Sequence, residues 1–371
     1  MKKAKILMCV CFFMTLFSVT AFAGDGDIDS YKDEFSYDEM ISSIDSSVVD
    51  ILSEIGITEI SYDSIFSVTP QKVFDSFFYI FMGALKEPFK YFLSITGVMA
   101  IMALLTNLSR SPETVTLIGS SCVACILAVP IVSLVSRGFS VLETLSTFTT
   151  AFSGVFCAVT SAAGGAVQGT SFLGMNIAIN SVFSLVLSTV SKPLANCMCA
   201  LSFLSCFNIK TFSERISDLF KRCYIFILSL VTTLFSGLSA IKTILGGSAD
   251  SVASRSVKFL VGRSLPLVGG VVSESYQSII ASLNLIKSTV GVFGIITVVI
   301  TVLPIILELS AWWLSLSFIS TASEIFGSFK IENLINIFKD VIVLLIATVA
   351  FSALLFIISC GFMLIFKGSI A

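Results

Sequence analysis

The amino-acid sequence predicts an all-α polytopic membrane protein, with about seven to eight transmembrane helices of roughly 20 residues plus amphipathic interfacial helices, after a cleavable signal peptide. Three observations carry that expectation. First, 56% of the 371 residues are hydrophobic and only 12% are charged, with a mean hydropathy of +1.00. A soluble domain is about 25% charged, so this chain has too few polar residues to cover a water-exposed core. Second, apolar runs of membrane-spanning length recur from position 89 to the C-terminus. Third, the N-terminus has the order of a secretory leader.

That leader is residues 1–23. Lys2, Lys3 and Lys5 make the positive end, Ile6 to Val19 the apolar run, and Ala21-Phe22-Ala23 a cleavage site before Gly24. An uncleaved anchor is the alternative, and in both cases the residues that follow are translocated. The exported segment, 24–70, is acidic at its start, with Asp25, Asp27, Asp29, Asp33, Glu34, Asp38 and Glu39. Ser36 and Glu39 have capping-box spacing. Ile41, Ile44, Val48, Ile51, Leu52 and Ile55 then recur at helical spacing before Gly56. One such helix cannot bury its stripe alone. It needs its own membrane domain, the bilayer surface or a partner.

Pro70 suits the first turn of a further helix. Over 71–87, Val73, Phe77, Ile80, Phe81 and Ala84 share one face, with Asp75, Tyr79 and Lys86 opposite. This pattern predicts an interfacial helix, which Pro88 separates from the first span.

The membrane domain is 88–371. Its predicted spans are 89–108, 115–135, 139–161, 171–191, 224–245, 289–308 and 341–366. Residues 194–208 are short for a span and read equally as re-entrant. Residues 311–327 carry Trp312 and Trp313, which suit a headgroup belt. Between spans, 211–223 reads as an amphipathic helix with Phe212, Ile216, Leu219, Phe220 and Cys223 on one face. The loop 161–169 is uncharged and rich in small residues, with Gly165 and Gly169 spaced for close backbone approach.

Ionisable groups inside apolar runs are the candidate functional residues. An ionised side chain at bilayer depth costs about 2.5–3.5 kcal/mol on insertion scales, so each must face protein, water or headgroups. Glu143 falls in the third span and Lys242 late in another. Pro304 and Glu308 lie together near the end of the 289–308 span, where Glu308 either lines a polar path or reaches headgroups. The segment 246–288 is basic and interrupted. It carries Arg255, Lys258 and Arg263, then Pro266, Gly269 and Gly270, then Glu274 at a helix start. Broken helices at membrane depth occur where they line a cavity or are buried in protein.

The chain has no His, which removes His-based acid–base and nucleophilic chemistry and His-ligated metals. Its cysteines sit mainly in the leader and in apolar runs. Cys122 and Cys125 have CxxC spacing but read as small packing residues one helical turn apart. No HExxH, GxSxG or Walker A pattern is present. The expectation is a non-enzyme with no cofactor.

The residues also carry a resemblance. Val257-Lys258-Phe259, Pro266-Leu-Val-Gly269-Gly270, Ser273-Glu274 and Lys287-Ser-Thr-Val290-Gly291, after a leader and an acidic exported segment, resemble the stage III sporulation protein AE family of endospore-forming bacteria. The likeness covers most of the chain after the leader and is sharpest at 246–292. Arg263-Ser264 departs from the pattern, where a pair nearer Gly-Asn is expected. The resemblance implies a multi-pass subunit of the channel-like complex between mother cell and forespore. It would lie in the mother-cell membrane around the forespore, with 24–70 outside the cytoplasm. It implies other stage III sporulation proteins as partners, among them a secretion-type ATPase, small membrane subunits and ring-forming proteins. No nucleic-acid partner is expected. A conduit or export-gate-like role in forespore development and late forespore gene expression follows from the resemblance alone. A free-standing secondary transporter is the alternative, although no internal repeat supports it.

Overall fold

The apolar runs join into fewer and longer helices than hydropathy alone suggests. The computed structural model describes residue 44, residues 46–55, residue 57, and residues 70–205, 215–238, 241 and 269–365. The leader, the start of the acidic segment with its Ser36 capping box, and Lys242, Arg255, Lys258 and Pro266 lie outside the described residues. The helices are α1 Ser46–Ile55, α2 Pro70–Leu108, α3 Pro112–Ala162, α4 Ala166–Val186, α5 Lys192–Leu204, α6 Arg215–Leu238, α7 Gly269–Ile325 and α8 Phe329–Ile365. Among the described residues there is no strand.

The short helix of the acidic segment forms where periodicity places it. Val48, Leu52 and Ile55 of α1 are buried, with Ile44 and Ile51 packed beside them. The stripe is covered by α7 and α2 of its own chain.

Elsewhere the predicted boundaries give way. Pro88 does not separate an interfacial helix from a span, because α2 runs through it as one 39-residue helix. The predicted spans 115–135 and 139–161 are one 51-residue helix, α3, with Pro130 inside. Likewise 289–308 and 311–327 fuse in α7 across Pro304, which therefore does not break the helix. The amphipathic piece 211–223 and the following span are continuous in α6 from Arg215 onward. Residues 171–191 and 194–208 join through one π-helical turn at Leu187–Ser191, which carries the chain into Pro193 without a break. Gly269 and Gly270 are not part of a dip but the first residues of α7. One physical reason covers all these corrections. A proline removes one amide and bends the helix, but in apolar surroundings every other backbone group still has only its own ladder to bond to. Hydropathy windows cut at single charges and prolines that the ladder passes through. Among the described residues, six helices are long and apolar enough to cross a membrane.

Two tight turns set the antiparallel pairs. After α3, Gly165 N donates to Thr160 O at 2.9 Å and Gly164 N to Ser161 O at 3.1 Å. After α7, Ser328 N donates to Ser323 O at 2.9 Å and Gly327 N to Glu324 O at 3.1 Å. Both are Schellman motifs, whose left-handed residue is Gly164 (φ 87°) and Gly327 (φ 69°). The small-residue loop packs as its composition predicts. A Cβ on Gly169 would lie 2.9 Å from both the Cys157 carbonyl oxygen and Ser161 Oγ.

The core is aromatic along α3. Phe148, Phe152 and Phe156 are fully buried at successive turns, with neighbouring ring centroids 5.9 and 5.4 Å apart. Phe356 of α8 meets Phe152 edge-on at 5.2 Å, and Phe172 of α4 meets Phe156 at 5.0 Å. Gly294 of α7 leaves the room that the Phe152 ring fills. Polar side chains tie helix to helix where the core allows. Ser315 Oγ donates to the Pro88 carbonyl at 2.8 Å, and Ser202 Oγ to the Leu334 carbonyl at 2.9 Å. Asn180 Nδ2 donates to Thr149 Oγ1 at 2.8 Å. In a solvent that cannot hydrogen-bond, such bonds hold transmembrane helices together.

Candidate functional site

Two ion pairs tie helices of the bundle together. Arg137, at the middle of α3, pairs with Glu308 of α7. Lys221, in the second turn of α6, pairs with Asp340 of α8. Neither pair is deeply buried: the side chains of Arg137 and Glu308 are 47% and 26% exposed, and those of Lys221 and Asp340 30% and 24%.

A small internal cavity shows that these pairs share a level. It is lined by Phe139 of α3, Ser191 of the π turn, Leu194 and Ala195 of α5, Tyr224 of α6, and Val341, Leu344 and Leu345 of α8. Arg137, Lys192, Lys221 and Asp340 each lie within one turn of a residue in that lining. Beside it, Tyr224 OH bonds Thr348 Oγ1. Thr348 already donates to the Leu344 carbonyl at 2.7 Å, so the phenol is the donor between them.

Trp313 completes the belt on the outer surface. It is 40% exposed, while its neighbour Trp312 is buried against Tyr91 at 5.3 Å between centroids. Lys339 Nζ stands 6.0 Å from the Trp313 ring centroid and donates to Asn336 Oδ1 at 3.4 Å.

Among the described residues, one buried cation lies apart from the belt. Lys287 of α7 is 5% exposed and donates to Gln168 Oε1, itself buried, at 3.3 Å. This joins α7 to the small-residue turn between α3 and α4.

The predicted residues therefore separate. Glu308 is brought to a partner, Arg137. Pro304 lies one turn before it inside an unbroken helix. Glu143 is exposed on α3, less than two turns beyond Arg137. Gly269, Gly270 and Glu274 lie in the first turns of α7, while Lys242, Arg255, Lys258 and Pro266 lie outside the described residues. In α6 the predicted apolar face is rotated: Leu219 and Cys223 are exposed, and Ser217, Tyr224 and Leu228 are buried. Cys122 and Cys125 are also exposed, not packed. Sequence reasoning missed Arg137, Lys221 as an ion-pair partner, and Asp340. The signal for Arg137 was present, because it is the one charge between the predicted spans 115–135 and 139–161.

Chemically, the arrangement neutralises charge and fixes helix register. Among the described residues no three His, Cys, Asp or Glu side chains converge to hold a metal ion.

A family profile described as stage III sporulation protein AE matches residues 57–366. Stage III sporulation protein AE of Bacillus subtilis (strain 168) is 22% identical over 223 residues, covering 59% of this chain and 55% of that protein. This chain therefore aligns with about half the length of its curated relative. No solved structure matches the chain. The profile runs from the end of α1 through α8, taking in every long helix of the bundle, and the chain belongs to the stage III sporulation protein AE family.

Proposed function

We propose that this chain is a membrane subunit of the channel complex between mother cell and forespore, serving as a conduit or export-gate-like component. Its partners are other stage III sporulation proteins, including a secretion-type ATPase and ring-forming subunits. It resides in the mother-cell membrane around the forespore and supports forespore development and late forespore gene expression. Family membership over 57–366, joined to six helices among the described residues that are long and apolar enough to cross a membrane, is the observation that carries this reading. The chain carries no catalytic motif of its own, so energy for transport comes from a partner.

The test is affinity isolation of the C-terminally tagged chain from sporulating cells, with mass spectrometry of what accompanies it. Recovery of the ATPase and ring proteins is the expected result. Recovery of this chain alone, under conditions that preserve other membrane complexes, overturns the reading in favour of a free-standing transporter.

A further inference from the structure

The length of α3 poses a problem that its charges resolve. Its 51 residues make a rod about 76 Å long, whereas the hydrocarbon of a bilayer is about 30 Å thick. No tilt compatible with a packed bundle brings the whole of α3 into that layer. Somewhere along it the helix must cross from lipid tails into another medium. Arg137 stands midway, about 37 Å from each end. The run before it, from Thr114 to Ser136, holds no ionisable acid or base except cysteine thiols. The run after it, to Ala162, holds only Glu143 besides such a thiol, about 9 Å on and within reach of the same level. Helix α7 repeats the pattern. From Ser288 to Leu307 it carries no charge, and Lys287 and Glu308 are about 31 Å apart along it, one hydrocarbon thickness.

We propose that the belt of Arg137, Glu308, Lys221, Asp340, Lys339 and Trp313 is a lipid-headgroup contact surface, so that the bundle leaves the hydrocarbon at this level. The belt does not lie at the bilayer midplane.

Three features fit phospholipid headgroups. The belt side chains are partly exposed on the outside of the bundle, where lipid is, and do not converge on an internal path. Trp313 is exposed beside the Lys339 ammonium, and Trp and Lys together are the residues that anchor a helix at the headgroup layer. Cations also outnumber anions around it. Within six residues along the chain of a belt or cavity residue lie Arg137, Lys192, Arg215, Lys221, Arg222 and Lys339, against Glu143, Asp218, Glu308 and Asp340. The excess positive charge suits lipid phosphates and anionic headgroups. At the midplane the exposed parts of the same charges would meet hydrocarbon, with only their ion-pair partners to offset the cost of insertion. This inference does not depend on which complex the chain joins.

The chain contains only two tryptophans, which makes the depth of the belt measurable. The full chain carrying W312F is reconstituted in phosphatidylcholine–phosphatidylglycerol vesicles, and Trp313 emission is quenched by lipids spin-labelled at the headgroup or near the acyl terminus. Headgroup-labelled lipid should quench roughly twofold or more strongly than the deep label. Stronger quenching by the deep label overturns the proposal, since it puts the belt at the midplane. Equal insensitivity to both labels also overturns it, because protein would then cover the belt. If W312F fails to fold, wild-type protein serves. Trp312 is 1% exposed and contributes a constant background, and a W313F control identifies the quenchable component.

Discussion

At the scale of single residues, two kinds of position behave differently on substitution. Gly294 faces the buried Phe152 ring, and a Cβ there would collide with it. Gly294→Ala should destabilise the detergent-solubilised protein by about 1–3 kcal/mol, the usual cost of overpacking a filled core. Gly174 has nothing within 4 Å of its Cβ position, and Gly174→Ala should be neutral or stabilise by about 0.4–1 kcal/mol through the unfolded chain. Denaturation midpoints of the two variants check both signs in one experiment. The Arg137–Glu308 pair is a third case. With Arg137 nearly half exposed, solvent and headgroups screen the attraction, so E308Q should cost no more than about 1 kcal/mol. A loss several times larger would mean that the pair is sealed from both.

At the scale of elements, the two Schellman turns and the prolines give opposite expectations. Gly164 holds φ 87° at the end of α3, and Gly164→Ala forces a side chain into the left-handed region at a cost of about 1–2 kcal/mol. Gly169→Leu should cost more, because its side chain would press on the Cys157 carbonyl and loosen α4 from α3. Accessibility of Cys157 to a small maleimide, low in the native protein where it is buried, should rise in that variant. Pro304 behaves the other way. It sits inside a continuous helix, so Pro304→Ala restores a backbone bond and should leave helix content unchanged by circular dichroism, with an equal or higher melting temperature. A loss of stability would show that the proline itself is needed for packing.

At the scale of the whole molecule, α7 and α8 form the densest pair, and α3 packs against both while reaching α2 and α4. The inter-helix ties Ser315 to Pro88, Ser202 to Leu334 and Tyr224 to Thr348 hold α2, α5 and α6 onto that centre. Removing one hydroxyl, as in Ser202→Ala, should lower stability by about 0.6 kcal/mol, the typical value of such a bond between transmembrane helices. The bundle distributes its cohesion over many small contacts, so no single tie should unfold it. A cooperative unfolding transition whose midpoint shifts only slightly in Ser202→Ala is the expected measurement.

Composition and periodicity alone determined the class of the protein, its apolar helices, the buried stripe of α1 and the tight packing of the 161–169 turn. These are local properties: hydropathy sums over neighbours in sequence, and helical spacing needs only one helix to be read. The tertiary structure alone decided how many runs join into one helix, which face of α6 is buried and which charges meet. Arg137 and Glu308 are 171 positions apart, and Lys221 and Asp340 are 119. Nothing in the local pattern of either run names its partner. The reason is that an isolated charge in an apolar run costs free energy wherever it lies, while the group that compensates it is chosen by how whole helices pack.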